Sequence, residues 1–231
     1  MNGRFVPTLP INLVKAAFLA FVLCGARAYS VYAADPVDGA DVIGSLKMVR
    51  APTSAAWDMA QAVVYLVPEK APVRPGASAS PIVIHQKNAT FNPPFAVAIK
   101  GQTVQFLNDD SIDHNVFSYS KVKKFDLGIY PKGESKSLTF EEEGPVLIFC
   151  SIHEFMNGIV YVVPAVWYGL TDSQGHFSIP HVPVGRYQVR MWHASLPKGS
   201  QYVEVRSLNV QNHQPVHLDI LLGQGGAAKK Q

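Results

Sequence analysis

Apolar residues in this chain recur mainly in short runs with a period of two. Val104-x-Phe106, Phe177-x-Ile179 and Tyr187-x-Val189-x-Met191 alternate, and Gly and Pro punctuate the intervals. Two other runs, Val146-Leu147-Ile148-Phe149 and Ile159-Val160-Tyr161-Val162-Val163, are continuously apolar, rich in β-branched and aromatic residues, and too short for helices. Together these patterns predict an all-β chain. No heptad is sustained, no internal repeat appears, and no block of Lys and Arg suggests a nucleic-acid surface.

One segment departs from this pattern. Arg4 and Lys15 precede the apolar stretch Ala16-Ala17-Phe18-Leu19-Ala20-Phe21-Val22-Leu23, and Ala26-Arg27-Ala28 and Val31-Tyr32-Ala33 offer small-residue cleavage sites. This layout predicts a secretory signal peptide over residues 1–34, and its apolar core is shorter than the roughly 20 residues of a spanning helix. The expected protein is therefore periplasmic or otherwise secreted, with no membrane span after cleavage. Cleavage removes Cys24, which leaves Cys150 as the sole cysteine and excludes an internal disulfide. It also removes Arg4, Lys15 and Arg27, so 17 basic residues face 17 acidic ones and the formal charge of +3 falls to zero. A neutral chain gives no reason to expect nucleic acid or an anionic membrane as partner.

The chemistry lies between the two continuous runs, in Cys150-Ser151-Ile152-His153-Glu154-Phe155-Met156. Taken singly, a Cys or Met in apolar surroundings fills a core, and a His is a surface or hydrogen-bonded residue. Taken together, a thiolate, an imidazole and a thioether form a copper ligand set, because Cys and Met are soft donors and imidazole suits both oxidation states. Metal ligation also explains a lone thiol in an exported chain. Fully extended, the steps from Cys150 to Met156 reach about 20 Å, so one ion takes all three only if the loop curls, which Asn157-Gly158 would assist. A fourth candidate ligand, His114, lies in the polar stretch Asn108-Asp109-Asp110-Ser111-Ile112-Asp113-His114-Asn115.

With these residues in view, residues 81–163 resemble a cupredoxin, a blue type 1 copper domain of the amicyanin and plastocyanin type. The Cys-x2-His-x2-Met spacing is similar to the short-loop members of that family. Phe91-Asn92-Pro93-Pro94, Ile99-Lys100-Gly101-Gln102-Thr103-Val104, His114-Asn115-Val116 and Leu138-Thr139-Phe140 follow its strand order. The resemblance implies a Greek-key β-sandwich binding one copper ion. His114, Cys150 and His153 would be equatorial ligands, Met156 the axial one, and Asn115 the residue tying the ligand loops together. It also implies that the His153 ring reaches the surface through an apolar patch to which Ile152, Phe155, Pro93 and Pro94 contribute. Where the short-loop members carry prolines beside the second His, this chain has Ile152 and Glu154.

A second resemblance covers the C-terminal part. Thr171-Asp172-Ser173-Gln174-Gly175-His176-Phe177 and Val182-Pro183-Val184-Gly185-Arg186-Tyr187 are similar to the signature of carboxypeptidase regulatory-like, transthyretin-type sandwiches. Read as local chemistry, Asp172 to Gly175 makes a hairpin turn, Phe177 and Ile179 alternate into a core, and Gly185 closes the next turn. Gly44-Ser45-Leu46 and Ala62-Val63-Val64-Tyr65-Leu66 resemble the first half of that fold, about 100 residues upstream. An insertion accounts for this: 35–68 and 164–222 form one β-sandwich, 69–80 is a linker, and the cupredoxin interrupts them. The alternative is a swollen cupredoxin with an appended C-terminal sandwich. Residues 223–231, rich in Gly, Ala and Lys, are expected to be a disordered tail.

The remaining histidines, His85, His176, His181, His193, His213 and His217, read as surface or hydrogen-bonded groups. Glu141-Glu142-Glu143 reads as a solvated charge cluster, and so do Lys121, Lys123 and Lys124, unless the lysines orient a redox partner. The expected function is that of an exported one-electron carrier, not an enzyme. Its partners would be redox proteins such as a c-type cytochrome or a periplasmic dehydrogenase. A copper-trafficking or buffering protein would use the same ligands, and an envelope interaction module would use copper only structurally.

Overall fold

A computed structural model describes residues 39–48, 62–70, 79–211, 214–223 and 228–229. The expected signal peptide, Cys24, most of the linker, His213 and most of the tail lie outside the described residues. Strands β1 (Gly39–Met48) and β2 (Ala62–Pro68) come first. They are followed by β3 (Ile82–Lys87), β4 (Thr90–Asn92), β5 (Phe95–Ile99), β6 (Gln102–Asn108) and β7 (His114–Tyr119). Next come β8 (Lys124–Tyr130), β9 (Ser135–Phe140), β10 (Gly144–Phe149) and β11 (Asn157–Val163). The chain closes with β12 (Tyr168–Leu170), β13 (His176–Pro183), β14 (Gly185–His193), β15 (Val203–Val210), β16 (Val216–Leu222) and β17 (Ala228–Lys229). The described residues contain no helix.

Strands β3 to β11 build one lobe from two sheets, ordered β5-β11-β10-β7-β8 and β4-β3-β6-β9. Their inward residues, including Ile84, Phe106, Val116, Phe140, Val146 and Ile148, form its core. The other lobe pairs strands from both sides of this stretch: β1 lies between β13 and β16, and β2 lies between β12 and β14. The fold is therefore a cupredoxin-type β-sandwich plus an additional β domain whose strands come from both ends of the chain.

The continuously apolar run of β11 now has a cause. Strands β5 and β11 pair in parallel, Ile159 against Phe95 through Val163 against Ile99. Ala96, Ala98, Val160 and Val162 face the first core, whereas Phe95, Val97, Ile99, Ile159, Tyr161 and Val163 join the core of the second lobe. A strand covered on both faces has no polar side to alternate with. Full burial of such an aliphatic or Phe side chain is worth about 1.5–3 kcal/mol, so this seam binds the lobes firmly.

Polar groups complete the seam. The Tyr65 hydroxyl donates to Glu143 Oε1 at 2.6 Å and lies 3.0 Å from the Tyr161 hydroxyl, while Tyr161 donates to the Gln201 carbonyl at 2.6 Å. Arg190 Nη1 sits 3.3 Å from Glu143 Oε2, with its guanidinium 4.2 Å from the centre of the Tyr202 ring. Burial pushes the Tyr65 and Tyr161 phenols above their ordinary range, so both stay protonated as donors. Glu143 is thus not part of a solvated cluster, as its two acidic neighbours had suggested. It is the acceptor that bridges the lobes.

One further expectation needs correcting. Asp172 to Gly175 does form a turn: the Asp172 carboxylate accepts from the Gln174 and His176 amides at 2.9 and 2.8 Å, and Gly175 has φ 85°. It is not a hairpin turn, because β12 and β13 belong to different sheets and the turn carries the chain across the sandwich. In the tail, Ala228 and Lys229 pair with Leu222 and Leu221 as a short edge strand.

Candidate metal centre

His114 opens β7, and Cys150 immediately follows the end of β10, its neighbour in the same sheet. Register places Phe117 opposite Phe149, so the strand ends that carry the two ligand candidates come together. The loop after Cys150 curls through two backbone bonds: Met156 N donates to His153 O at 3.0 Å, and Cys150 N donates to Met156 O at 3.1 Å. Gly158 has a different role from the one its sequence position suggests. It already lies in β11, and a Cβ there would stand 3.0 Å from the Pro94 carbonyl, so glycine permits close strand approach.

The three donors converge. His114 Nδ1 and His153 Nδ1 are 3.1 Å apart, and Cys150 Sγ lies 3.9 Å from the first and 3.6 Å from the second. Among the described residues this is the only group of three or more His, Cys, Asp and Glu with its donor atoms mutually within 4.8 Å. At metal–nitrogen and metal–sulfur distances of about 2.0–2.3 Å, as in zinc sites, three donors in a plane stand about 3.5–3.8 Å apart. The cluster is compact enough for one ion. Cys150, His114 and Met156 are buried, and His153 is partly exposed. Two imidazoles and a thiolate, with the buried Met156 at the end of the loop, are donors that select copper.

Asn115 ties the loops: its Oδ1 accepts from Ser151 N at 2.7 Å and from Ser151 Oγ at 2.9 Å, and its Nδ2 donates to Asp126 at 3.3 Å. The side chains of Ile152 and Phe155 are directed to solvent, Phe155 at 90% exposure. With exposed Pro93 and Pro94 they are surface rather than cluster residues.

One contributor was missed in the sequence. Asp110 Oδ2 lies 3.2 Å from His114 Nε2, on the side of the ring away from the cluster. The carboxylate is itself held by the Ala89 amide at 2.9 Å and the Ser111 amide at 2.9 Å. These bonds, that from Ala89 foremost and that to His114 next among them, outweigh desolvation and lower its pKa to about 2. A carboxylate there fixes the His114 tautomer with its proton on Nε2, leaving the Nδ1 lone pair for the metal. Its only sequence signal was an acidic residue four positions before His114 in a polar turn. Asp110→Asn should therefore weaken copper binding by about tenfold, the low end of the range for such supporting groups, as measured by chelator competition.

Tyr130 lies behind the cluster. Its hydroxyl takes a hydrogen bond from the buried Gln86 amide, and burial, with Cys150 nearby, raises its pKa to about 12. Among the other histidines, His85 bonds Asp109, His176 lies 3.5 Å from Asp172, and buried His193 bonds Ser195 at 2.7 Å. None of them joins the cluster.

Residues 80–163 match the family of copper binding proteins, plastocyanin/azurin family, and this segment is a cupredoxin domain. The chain is 28% identical to a novel purple cupredoxin from Nitrosopumilus maritimus, covering 36% of this chain and 99% of that one with a TM-score of 0.34. It is 26% identical to an amicyanin mutant in its reduced state, covering 43% of this chain and 99% of that one with a TM-score of 0.34. A further amicyanin mutant in its Cu(I) form is 25% identical, with coverage of 43% and 99% and a TM-score of 0.35. No curated protein matches the chain. Copper is thus the metal that both the family match and the donor set define.

Proposed function

We propose that this protein is an exported type 1 copper protein that carries single electrons between periplasmic redox partners. The observation behind this reading is the tight grouping of His114 Nδ1, His153 Nδ1 and Cys150 Sγ around one point, with Met156 buried alongside. These four residues would hold the ion, which when bound supplies a one-electron Cu(II)/Cu(I) couple. Because the two rings and the sulfur are already assembled and tied by Asn115, the ligands need little rearrangement between the two states. Cys150 and Met156 exclude water by their burial, and Asp110 holds the His114 ring in place.

His153 is the ligand closest to solvent, and the exposed apolar residues Ile152, Phe155, Pro93 and Pro94 would supply the docking surface for it. That surface would receive a c-type cytochrome or dehydrogenase in a small, transient interface. Ile152→Lys should leave the spectrum and potential intact but slow electron exchange with a periplasmic cytochrome in stopped flow, because it charges the docking surface. Unchanged kinetics would mean that electrons do not pass there, and would favour copper storage or delivery.

Met156→Leu tests the axial role. The swap nearly conserves volume, so folding should change by less than about 1.5 kcal/mol. Copper and colour should persist while the midpoint potential rises, since losing the sulfur disfavours Cu(II) more than Cu(I); an unchanged potential in redox titration would place Met156 in the packing alone.

The second lobe we read as a regulatory-like, transthyretin-type sandwich. The Asp172–Gly175 turn and the buried Phe177 and Ile179 that follow it support this.

A further inference from the structure

Where the lobes meet, on the face of β10 opposite its core residues, lies a cleft of about 970 Å³. Leu147, Phe149 and Pro145 of β10 form its floor, the turn after β7 forms one rim, and the β14–β15 connection forms a wall. The wall is built into the structure. Trp192 Nε1 donates to the Ser200 carbonyl at 3.2 Å, and the Gln201 carbonyl accepts from buried Tyr161 at 2.6 Å. Two turns shape it further, with Leu196 N bonded to His193 O and Ser200 N bonded to Pro197 O, each at 3.0 Å. Tyr119 and Leu147 remain exposed within it although they are large and apolar.

The charge of the cleft is one-sided. Its lining includes Lys121 from the first lobe and Lys198 from the second, both exposed, and no acidic residue. Neither lysine has an ion-pair partner among the described residues. An apolar, partly aromatic floor with cations only at its rim matches one ligand chemistry: a flat hydrophobic body bearing an anionic group. Small-molecule sites favour domain interfaces and volumes of about 300–1,000 Å³, a range this cleft reaches near its upper end.

We propose that the cleft between the lobes binds an amphipathic aromatic anion, its rings on Leu147 and Phe149 and its acid group at Lys121 and Lys198. The site needs no copper and gives the second lobe a function of its own. Because the wall is anchored by hydrogen bonds before any ligand arrives, little ordering opposes binding.

The probe is 2-naphthoate, titrated into the apo and copper-loaded protein by calorimetry and by quenching of tryptophan fluorescence, with 2-naphthalenemethanol and 2-naphthylmethylammonium as neutral and cationic controls. We expect one-to-one binding of the anion in both forms, at least tenfold tighter than either control. The paired substitution Lys121→Glu and Lys198→Glu should weaken naphthoate at least tenfold and turn the preference toward the cation, while the copper band, which reports the metal centre separately, is unchanged. Several results would each overturn the proposal: no binding at millimolar naphthoate, equal affinity for all three probes, indifference to charge reversal, or sedimentation showing that a second copy of the chain fills the cleft.

Discussion

Cys150→Ser should abolish the intense visible band of the copper-loaded protein and lower its copper affinity by orders of magnitude, with the fold retained. The band of a type 1 site arises from charge transfer between thiolate and Cu(II), and a serine hydroxyl is neither ionised at neutral pH nor soft. Cys150 is buried in the same core cluster as Met156 and Ile148, so the smaller oxygen leaves a modest void rather than a disrupted core. Absorption and copper content, measured together, decide the matter. A variant that keeps both would remove Cys150 from the metal centre, and one that loses copper without ever having been coloured would point to a site of another type.

Gly44→Ala should destabilise the second lobe by about 3 kcal/mol or more, read as a drop in the urea midpoint. Gly44 sits in the middle of β1, paired with Phe177 of β13 on one side and with Leu218 of β16 on the other. A Cβ there would run into the Leu218 carbonyl and stand 2.9 Å from the Phe177 ring. Backbone cannot move aside in the middle of a sheet without loss of ladder bonds. Because β5 and β11 share the core of this lobe, the damage should also reach the cupredoxin lobe through Phe95 and Tyr161. Unfolding that stays cooperative across both lobes is the expected outcome, monitored by tryptophan fluorescence and by the copper band on one sample.

Much of the centre could be read from the chain because its chemistry is local. Cys150, His153 and Met156 fall within seven residues, and soft sulfur beside imidazole names the metal before any fold is known. The all-β class could be read too, since alternation at Val104, Phe106, Phe177 and Ile179 is the period of a strand with one buried face. Residue type alone also distinguished His114, but only as a candidate: nothing in the sequence measures its distance from Cys150. That distance depends on β7 and β10 lying side by side, a pairing made by hydrogen bonds between segments about 30 residues apart.

Other features had no sequence signal strong enough to identify them. Asp110 is one of three acidic residues near His114, and only the path of the turn brings its carboxylate to Nε2. Glu143 stands in a run of three glutamates that reads as solvated, yet it reaches Tyr65 and Arg190 because the second lobe covers that edge of the first. Asp172 to Gly175 makes the same local turn whether it joins neighbouring strands or crosses between sheets, and the choice lies with β1, which takes β13 as its partner. The sequence by itself therefore determined the strands, the turns and the donor set, all properties of residue type and short-range spacing. Tertiary structure alone decided which strands pair, which acid supports His114 and where the lobes leave a cleft, because each depends on contacts between residues far apart in the chain.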